Sequence, residues 1–412
     1  MAATSQFWAQ ESFEKVAPHH ASIQALWEGK WRAPCAMGIY PFPDGDVRDF
    51  DKVFNKLIEM NMTEPYDPDS YAAAFFPVAE ELEATASKAE GNQDTALASS
   101  LYLRAAALYR IARFPVIRSP KTLEAWERGK EAYAKGGKYL TPPNLEFIVP
   151  HSYASASDGD GDTIRAYVRI PEHASKSSPV PVVLFVCGLD AYRTDFTSRI
   201  DEHIRRGFAV VSVEIPGTGD SPASRQDPES PDRQWSSVLD WIESQEMFDS
   251  TKISARSMST GGYYGMRMAH THADRLVAVV SQGGGCHRMF DKEWIKAQDK
   301  MEYPYALAEA LAHKFGYDSV EAYSEDAQAR FSLLESGIFD KACSRLFLIN
   351  FEIAKFLTIY GKGTKDEIFP IEDSMIPFQH GRVKDVRFIE GAYHIGNPGA
   401  ESYVYDWLDQ FK

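Results

Sequence analysis

One serine stands in a sequence context that favours nucleophilic catalysis. Ile253 to Gly265 reads as a short strand, a sharp turn that carries Ser259, and two glycines that open a helix. A turn of this kind lifts a serine hydroxyl clear of a parallel sheet and is usually written G-x-S-x-G. Here Ser257 replaces the first glycine, so its side chain must fit where the pattern has none. A serine nucleophile also needs a base, an acid that orients the base, and donors for an oxyanion.

His394 is the predicted base. It follows an apparent last strand, Val386 to Glu390, and a glycine turn, and it precedes a helix from Glu401 to Phe411. In enzymes that use such a serine turn, the chain order is serine, acid, histidine. A loop histidine with a structural role is the alternative. His270 and His272 lie on the helix behind the serine turn, and we expect them to face away from it.

Asp366 is the predicted acid. Gly363 to Pro370 has the spacing G-x-x-D-x-x-x-P, which is typical of the turn that precedes the histidine strand. Glu372 and Asp373 are alternatives, although we expect them to cap the next helix. Phe351 to Lys362 reads as an insertion at the end of the preceding strand, and it would disturb the acid turn if it distorts the loop.

The oxyanion donors are predicted from the same logic. One is the N–H of Thr260, directly after the nucleophile, and the other comes from the loop after the strand Val182 to Val186. Leu189 and Asp190 are the candidates in that loop. An ordinary loop without this role is the alternative.

The first third of the chain carries helical signals and almost no strand signals. Apolar residues from Phe50 to Ile58 recur at three- and four-residue steps, as in an amphipathic helix. Tyr71 to Lys88 and Asp94 to Phe114 predict two further helices, the second ended by a proline. We predict a helical cap domain over residues 1–143, with a linker from Lys135 to Pro143.

Strand and helix patterns alternate after residue 144. Leu145 to Val149 and Ile164 to Ile170 alternate apolar and polar residues, as in a hairpin with one wet face. Continuous apolar runs follow, as expected for strands buried on both faces. These runs are Val182 to Val186, Ala209 to Val213, Leu276 to Val280 and Leu346 to Ile349. The pattern predicts an α/β-hydrolase fold, with a mostly parallel, doubly wound sheet, over residues 144–412. The aromatic-rich interval 283–341 predicts a helical insertion, either an additional layer or a lid.

Composition disfavours several kinds of partner. The formal net charge is −15, with acids spread along the chain, which disfavours nucleic acid and anionic membrane surfaces. The longest apolar run, about Val180 to Leu189, is too short to span a bilayer, and Met1 to Lys15 resembles no signal or transit peptide. Scattered cysteines without C-x-x-C spacing predict no zinc site and no disulfide framework. We expect an intracellular protein, cytoplasmic or vesicle-associated, that is not classically secreted.

A series of short motifs runs through both predicted domains. They include Leu26-Trp27-Glu28, Tyr40-Pro41-Phe42, Arg113-Phe114-Pro115, Gly188-Leu189-Asp190, Glu214-Ile215-Pro216-Gly217-Thr218, Gly261-Gly262-Tyr263-Tyr264, Gly285-Cys286-His287 and Pro370-Ile371-Glu372-Asp373. In these motifs, and nearly from end to end, the chain resembles the fungal yellowish-green pigment hydrolases of conidial melanin pathways.

This resemblance implies a serine hydrolase without a cofactor that acts on aromatic polyketides. Enzymes of that family shorten a heptaketide naphthopyrone to 1,3,6,8-tetrahydroxynaphthalene by cleaving a carbon–carbon bond next to a ketone. Carried over to this sequence, the triad is Ser259, Asp366 and His394. Aromatic side chains of the helical regions would hold the flat substrate by stacking. The resemblance leaves the oligomeric state open, with a homodimer as one alternative.

Two other functions stay open at this point. The same triad would serve an esterase, lactonase or cyclase that acts on another polyketide. A non-catalytic binding protein with a hydrolase fold is the second alternative, and Ser257 and the insertion at 351–362 are the features that favour it. The presence of a serine, an acid and a histidine in the expected order argues against it.

Overall fold

A computed structural model describes residues 16–351, 367–382, 384–389, 394–396 and 399–412, and a mixed eight-stranded sheet forms its centre. The strands are β1 (Leu145–Pro150), β2 (Thr163–Arg169), β3 (Val180–Val186), β4 (Ala209–Val213), β5 (Phe248–Met258), β6 (Ala278–Gln282), β7 (Arg345–Phe351) and β8 (Asp385–Ile389). Their order across the sheet is β1-β2-β4-β3-β5-β6-β7-β8.

Strand direction agrees with burial. β1 pairs antiparallel with β2, and β2 pairs antiparallel with β4, whereas the other neighbours are parallel. Every residue of β4 and β6 is buried, while β1 exposes four of its six residues at the sheet edge. Parallel strands are buried because crossover helices cover both faces of the sheet. The predicted sheet, with antiparallel strands at one edge, is confirmed.

A group of helices precedes the sheet. They are α1 (Ile23–Leu26), α2 (Arg32–Ala36), α3 (Val47–Glu59), α4 (Pro68–Ala73), α5 (Phe76–Gly91), α6 (Thr95–Ala112) and α7 (Pro120–Gly137). α6 lies at the centre of this group, because its alanine-, leucine- and tyrosine-rich sequence is buried on nearly all sides from Ala98 onward. The helical character predicted for this region is confirmed.

Two details of the helical region differ from the sequence prediction. The helix expected from Tyr71 to Lys88 is two helices, α4 and α5, because Pro77 has no N–H for a continuous ladder and instead sits in the first turn of α5. α7 was not predicted, and it extends to Gly137, into the stretch expected to be a linker. The domain division at residue 143 stays a prediction.

Buried ion pairs join the helical region to the sheet. Arg110 and Arg113, at the end of α6, both contact the Asp195 carboxylate, with N–O distances of 2.9 Å and 2.6 Å. All three side chains are almost fully buried. Because removal of one partner from a buried ion pair typically costs about 3–5 kcal/mol, this contact fixes α6 to the loop that follows β3.

The remaining helices surround the sheet or extend from it. They are α8 (Thr197–Arg205), α9 (Ser230–Glu243), α10 (Thr260–Thr271), α11 (Lys292–Ala297), α12 (Leu307–Lys314), α13 (Val320–Phe331), α14 (Glu372–Met375) and α15 (Ala400–Leu408). α11, α12 and α13 belong to the predicted insertion. Its aromatic residues pack on α10, where the Tyr263 hydroxyl donates to the Phe331 carbonyl at 2.8 Å. The insertion therefore forms a helical layer, and its role as a lid stays a prediction.

A buried arginine connects the strand that carries the serine turn to the last helix. Arg256, on β5, donates to Glu401 at 2.7 Å and to Gln282 at 2.9 Å. Glu401 lies in the first turn of α15 and also accepts from Arg199 at 3.0 Å. Burial opposes the ionised form of Glu401, but the charges of Arg199 and Arg256 outweigh burial and hold its pKa well below the usual range. The pair sets the position of α15 relative to β5.

The substitution Glu401→Gln is expected to destabilise the protein in a pH-dependent way. A depressed pKa in the folded state means that Glu401 contributes stability above its ordinary pKa of about 4.3 and loses it as the pH falls further. We expect a loss of about 2 kcal/mol at pH 7, since hydrogen bonds to charged groups contribute this much. Urea unfolding of both proteins between pH 7 and pH 3 checks this. A stability difference that stays constant below pH 4 would contradict the assignment.

Candidate active site

Ser259 occupies a strained turn at the carboxyl end of the sheet. It lies between the end of β5 and the start of α10, with φ 54° and ψ −129°, which few residues other than glycine adopt. Its N–H donates to the Gln282 carbonyl at 2.8 Å, and its own carbonyl accepts from Gly262 at 2.7 Å. Strain of this kind costs on the order of 1–3 kcal/mol and persists only where the surroundings impose it. The serine is thus held in one position, partly exposed to solvent.

α10 approaches the neighbouring loop closely. A Cβ on Gly261 would lie 2.1 Å from the Cys187 carbonyl oxygen, so a side chain at this position would force α10 away from the loop after β3. This explains why a glycine follows the serine by two positions in the pattern.

Ser257 fits the turn because of a glycine further along the chain. Its side chain is fully buried, and its hydroxyl donates to the Val280 carbonyl at 2.8 Å. A Cβ on Gly265 would lie 1.9 Å from the Ser257 hydroxyl oxygen. In the usual pattern, position 257 is a glycine and needs no room for a side chain. Here the absence of a side chain at position 265 leaves room for that of Ser257. The departure from G-x-S-x-G does not disturb the turn.

His394 contacts the serine directly. Its Nε2 lies 2.8 Å from the Ser259 hydroxyl oxygen, although the two residues are 135 positions apart. His394 begins a single turn of 3₁₀-helix after β8, and Ile395 beside it has a positive φ of 60°. For Nε2 to accept the serine proton, the imidazole must carry its own proton on Nδ1. The predicted serine–histidine pair is brought together in the fold.

The other histidines near this end of the chain have different partners. His270 lies 3.1 Å from the Lys341 carbonyl, and His272 lies 3.0 Å from the Ser236 hydroxyl. Burial lowers the pKa of both imidazoles. They contact structural partners away from Ser259, as the sequence predicts.

The predicted acid, Asp366, lies outside the described residues. The alternative acid, Asp373, binds a different part of the chain. Its carboxylate accepts from the N–H groups of His287, Arg288 and Met289 at 3.1, 2.6 and 2.8 Å. It thereby caps the 3₁₀-turn that begins at Arg288, and not α14 as expected. The cause is tertiary, since the turn after β6 lies against α14. Glu372 begins α14, and Asp366 stays the predicted acid.

The loop after β3 passes beside the nucleophile. A Cβ on Gly188 would lie 3.5 Å from the Cβ of Ser259, which places the loop against the serine turn. Leu189 and Asp190, the predicted donors, are buried in this loop. Thr260 is the first residue of α10, so its N–H has no acceptor within the helix. All three candidates lie in segments that flank Ser259, and their role as oxyanion donors stays a prediction.

The described residues contain little that suggests other chemistry. Cys35, Cys187, Cys286 and Cys343 are buried free thiols. Within the described ranges, no three histidine, cysteine or acidic side chains are grouped as metal ligands. In the same part of the chain, every helix is too short or too polar to cross a bilayer.

These features define the class of the protein. The strained serine lies between a strand of a mostly parallel sheet and the helix that follows it. A histidine from a later loop contacts its hydroxyl. This is the arrangement of α/β-hydrolases. The crystal structure of 2,6-dihydroxy-pseudo-oxynicotine hydrolase matches with a TM-score of 0.70 and 19% identity, over 93% of this chain and 95% of that one. The structure of wild-type AbyA5 matches with a TM-score of 0.64 and 20% identity, over 88% and 87%. The α/β-hydrolase fold is confirmed.

Sequence comparison identifies the family. The family described as "Esterase FrsA-like" matches residues 81–355, which is more than half of the chain. The chain belongs to this FrsA-like esterase family. Esterase FrsA of Escherichia coli O1:K1 is 25% identical over 331 residues, covering 78% of this chain and 73% of that protein. The protein is thus a hydrolase of the α/β-hydrolase type, and the narrower resemblance to fungal pigment hydrolases stays a prediction.

The fit between Ser257 and Gly265 predicts that the effect of Gly265→Ala on stability changes sign when Ser257 is replaced by glycine. Gly265→Ala alone is expected to destabilise by about 2 kcal/mol, because the added methyl overlaps a buried side chain. In the Ser257→Gly background the overlap is gone, and the nearest remaining atom is Val279 Cγ1 at 3.7 Å. There the same substitution is expected to stabilise by up to about 1 kcal/mol, the helix preference of alanine over glycine. Urea unfolding of the four proteins measures both effects.

Gly91→Ala is the matched control, because Gly91 is also helical and its added Cβ would meet nothing within 4 Å. It should change stability by the same small amount in both backgrounds. An equal cost of Gly265→Ala with and without Ser257 would show that the two positions are independent.

Proposed function

We propose that the protein hydrolyses esters or chemically similar carbonyl compounds with Ser259 as nucleophile. The observation that carries the proposal is the 2.8 Å distance between the Ser259 hydroxyl oxygen and His394 Nε2, on a strained turn. A hydroxyl is a weak nucleophile until a base within hydrogen-bond reach removes its proton. Membership of the FrsA-like esterase family supports the same reaction class.

The proposed reaction has two halves. The Ser259 oxygen attacks the carbonyl carbon while its proton passes to His394, and the carbonyl oxygen becomes an alkoxide. N–H groups of Thr260, Leu189 and Asp190 are the proposed donors to that alkoxide. His394 then gives its proton to the departing alcohol, which leaves an acyl-serine. Water, deprotonated by His394, attacks the acyl carbon, releases the acid and restores the serine.

The proposed orienting acid is Asp366. In this role its carboxylate would accept the Nδ1 proton of His394 and stabilise the imidazolium that forms. The assignment rests on its place in the G-x-x-D-x-x-x-P turn, between the serine and the histidine in chain order.

Cleavage of a carbon–carbon bond next to a ketone of an aromatic polyketide is the second candidate. Ser259 would attack the ketone carbon, and collapse of the alkoxide would break the bond and leave the electron pair on carbon. A polyhydroxyaromatic ring or β-dicarbonyl group spreads that charge, and His394 supplies the proton. The acyl-serine is then hydrolysed by water as above.

A cluster of buried aromatic residues lies next to the oxyanion loop. Phe114 of the helical region and Tyr303 of the insertion stack with ring centres 5.9 Å apart, and Trp31 lies 5.7 Å from Tyr305. The Tyr303 hydroxyl donates to Asp190, so this cluster reaches the loop beside Ser259. All four rings are at most 6% exposed, so they form part of the core between the helical region and the insertion. The resemblance of the sequence motifs to those of polyketide-shortening hydrolases is what supports this second candidate.

A fluorophosphonate probe is expected to label Ser259 of the folded protein, because it reacts with activated serines. Peptide mass spectrometry locates the label. Ser259→Ala should abolish labelling and lower kcat for a p-nitrophenyl ester at least about 10⁴-fold, as removal of the nucleophile does in other serine hydrolases. Ser236→Ala is the control, because Ser236 also contacts a histidine, His272 at 3.0 Å, away from the turn. Absence of labelling in the wild type would favour the non-catalytic binding protein.

Incubation with the heptaketide naphthopyrone separates the two candidate reactions. Release of 1,3,6,8-tetrahydroxynaphthalene by the wild type, and not by Ser259→Ala, would establish carbon–carbon cleavage. Ester hydrolysis without this product would restrict the protein to the first candidate. Liquid chromatography with mass detection distinguishes the outcomes, and p-nitrophenyl butyrate serves as the ester.

A further inference from the structure

The carboxylate of Asp190 joins three separate parts of the chain. Its Oδ1 accepts from the Tyr40 hydroxyl at 2.8 Å, and its Oδ2 accepts from the Tyr303 hydroxyl at 2.6 Å. Tyr40 precedes α3 in the helical region, while Tyr303 lies in the insertion between α11 and α12. Asp190 itself is in the loop that passes Ser259. Each carboxylate oxygen is therefore held by a different layer of the protein.

The main chain of the same residue is also held. Arg113 donates to the Asp190 carbonyl at 3.0 Å and to the Asp195 carboxylate at 2.6 Å. Its guanidinium lies 3.6 Å from the ring centre of Tyr192. Asp195 in turn accepts from the Tyr192 N–H at 2.8 Å. The loop is thus fixed at its side chain and at its carbonyl by residues outside it.

This arrangement is costly if its only role is stability. Asp190 is only 7% exposed, and burial raises the pKa of its carboxyl even though two hydroxyl donors and Arg113 favour the charged form. Replacing both partners of a buried hydrogen bond with apolar groups of the same shape can be nearly neutral or stabilising. What these hydrogen bonds fix is the position of the loop beside Ser259.

We propose that Tyr40 and Tyr303 are positioning residues: by holding the Asp190 carboxylate, they fix its loop so that the N–H groups of the loop face the oxyanion formed at Ser259. The inference rests on the proposed function and extends it to two tyrosines that act through the Asp190 carboxylate. Donors to an oxyanion act only when they are held within about 0.5 Å of the productive position. Docking of the helical region and of the insertion on Asp190 therefore completes the site.

The test removes single hydroxyl groups. Tyr40→Phe and Tyr303→Phe delete one hydrogen bond each and keep the ring, including the stack of Tyr303 on Phe114. We expect each to lower kcat for p-nitrophenyl butyrate about 10-fold, less than the loss of a direct oxyanion donor, with KM changed less than about 2-fold. The double variant should lower kcat further. The rate of fluorophosphonate labelling should fall in parallel, because that reaction also develops charge on an oxygen.

Tyr317→Phe is the matched control. It removes a tyrosine-to-aspartate hydrogen bond of the same kind, to Asp326 at 2.5 Å, on the exposed side of the insertion. It should leave kcat, KM and the labelling rate unchanged. Melting temperatures of all variants show whether Tyr40→Phe and Tyr303→Phe lose more stability than Tyr317→Phe does.

The outcomes separate the inference from the proposed function. Titration of active sites with the fluorophosphonate gives the fraction of competent protein, and kcat is expressed per labelled Ser259. The inference is overturned if the loss of kcat disappears after this correction, or if Tyr40→Phe and Tyr303→Phe behave like Tyr317→Phe. In either case the tyrosines are structural, and the serine mechanism stands. If the wild type shows no labelling of Ser259, the proposed function fails first.

Discussion

The structure depends on one constraint, the positive φ of Ser259. β5 ends one residue before Ser259 and α10 begins one residue after it, so this single residue makes the whole change of direction. The cost of this conformation is offset by the buried contacts of β5 and α10, which supply far more stabilisation than the turn consumes. Other features of the site, such as the close approach of the loop after β3, follow from where this turn directs α10.

The histidine side of the site is positioned by a different kind of contact. His394 is carried by a short turn between the last strand and α15, and this turn packs on the sheet: Ile395 is buried, and its carbonyl accepts from Gln282 at 3.4 Å. The helix that follows this turn, α15, is bound through its first turn to the strand of the nucleophile by Glu401 and Arg256. Packing of this turn and a buried charge pair thus hold the region of the base, whereas backbone geometry positions the nucleophile.

Local patterns in the sequence predicted the parallel sheet, the serine turn and its histidine, because buried strands and sharp turns require particular residues at short spacing. Three features could not be predicted in this way. The fit of Ser257 depends on a residue eight positions later, Asp373 caps a turn more than eighty positions away, and Asp190 binds two distant tyrosines. These are tertiary contacts without a periodic signal. α7 was not predicted for a different reason: its polar face weakens the apolar periodicity of the segment. Both ends of the helix, a serine cap and a glycine pair, are present in the sequence.

The complementarity of Ser257 and Gly265 also constrains how this turn can change over evolutionary time. A serine at 257 is accommodated only while 265 lacks a side chain, whereas a glycine at 257 would tolerate either residue at 265. A lineage can therefore exchange serine for glycine at 257 freely, but once an alanine is fixed at 265 the return to serine is blocked. Searches for serine hydrolases of this kind should admit serine at the first glycine position when glycine stands eight residues further on.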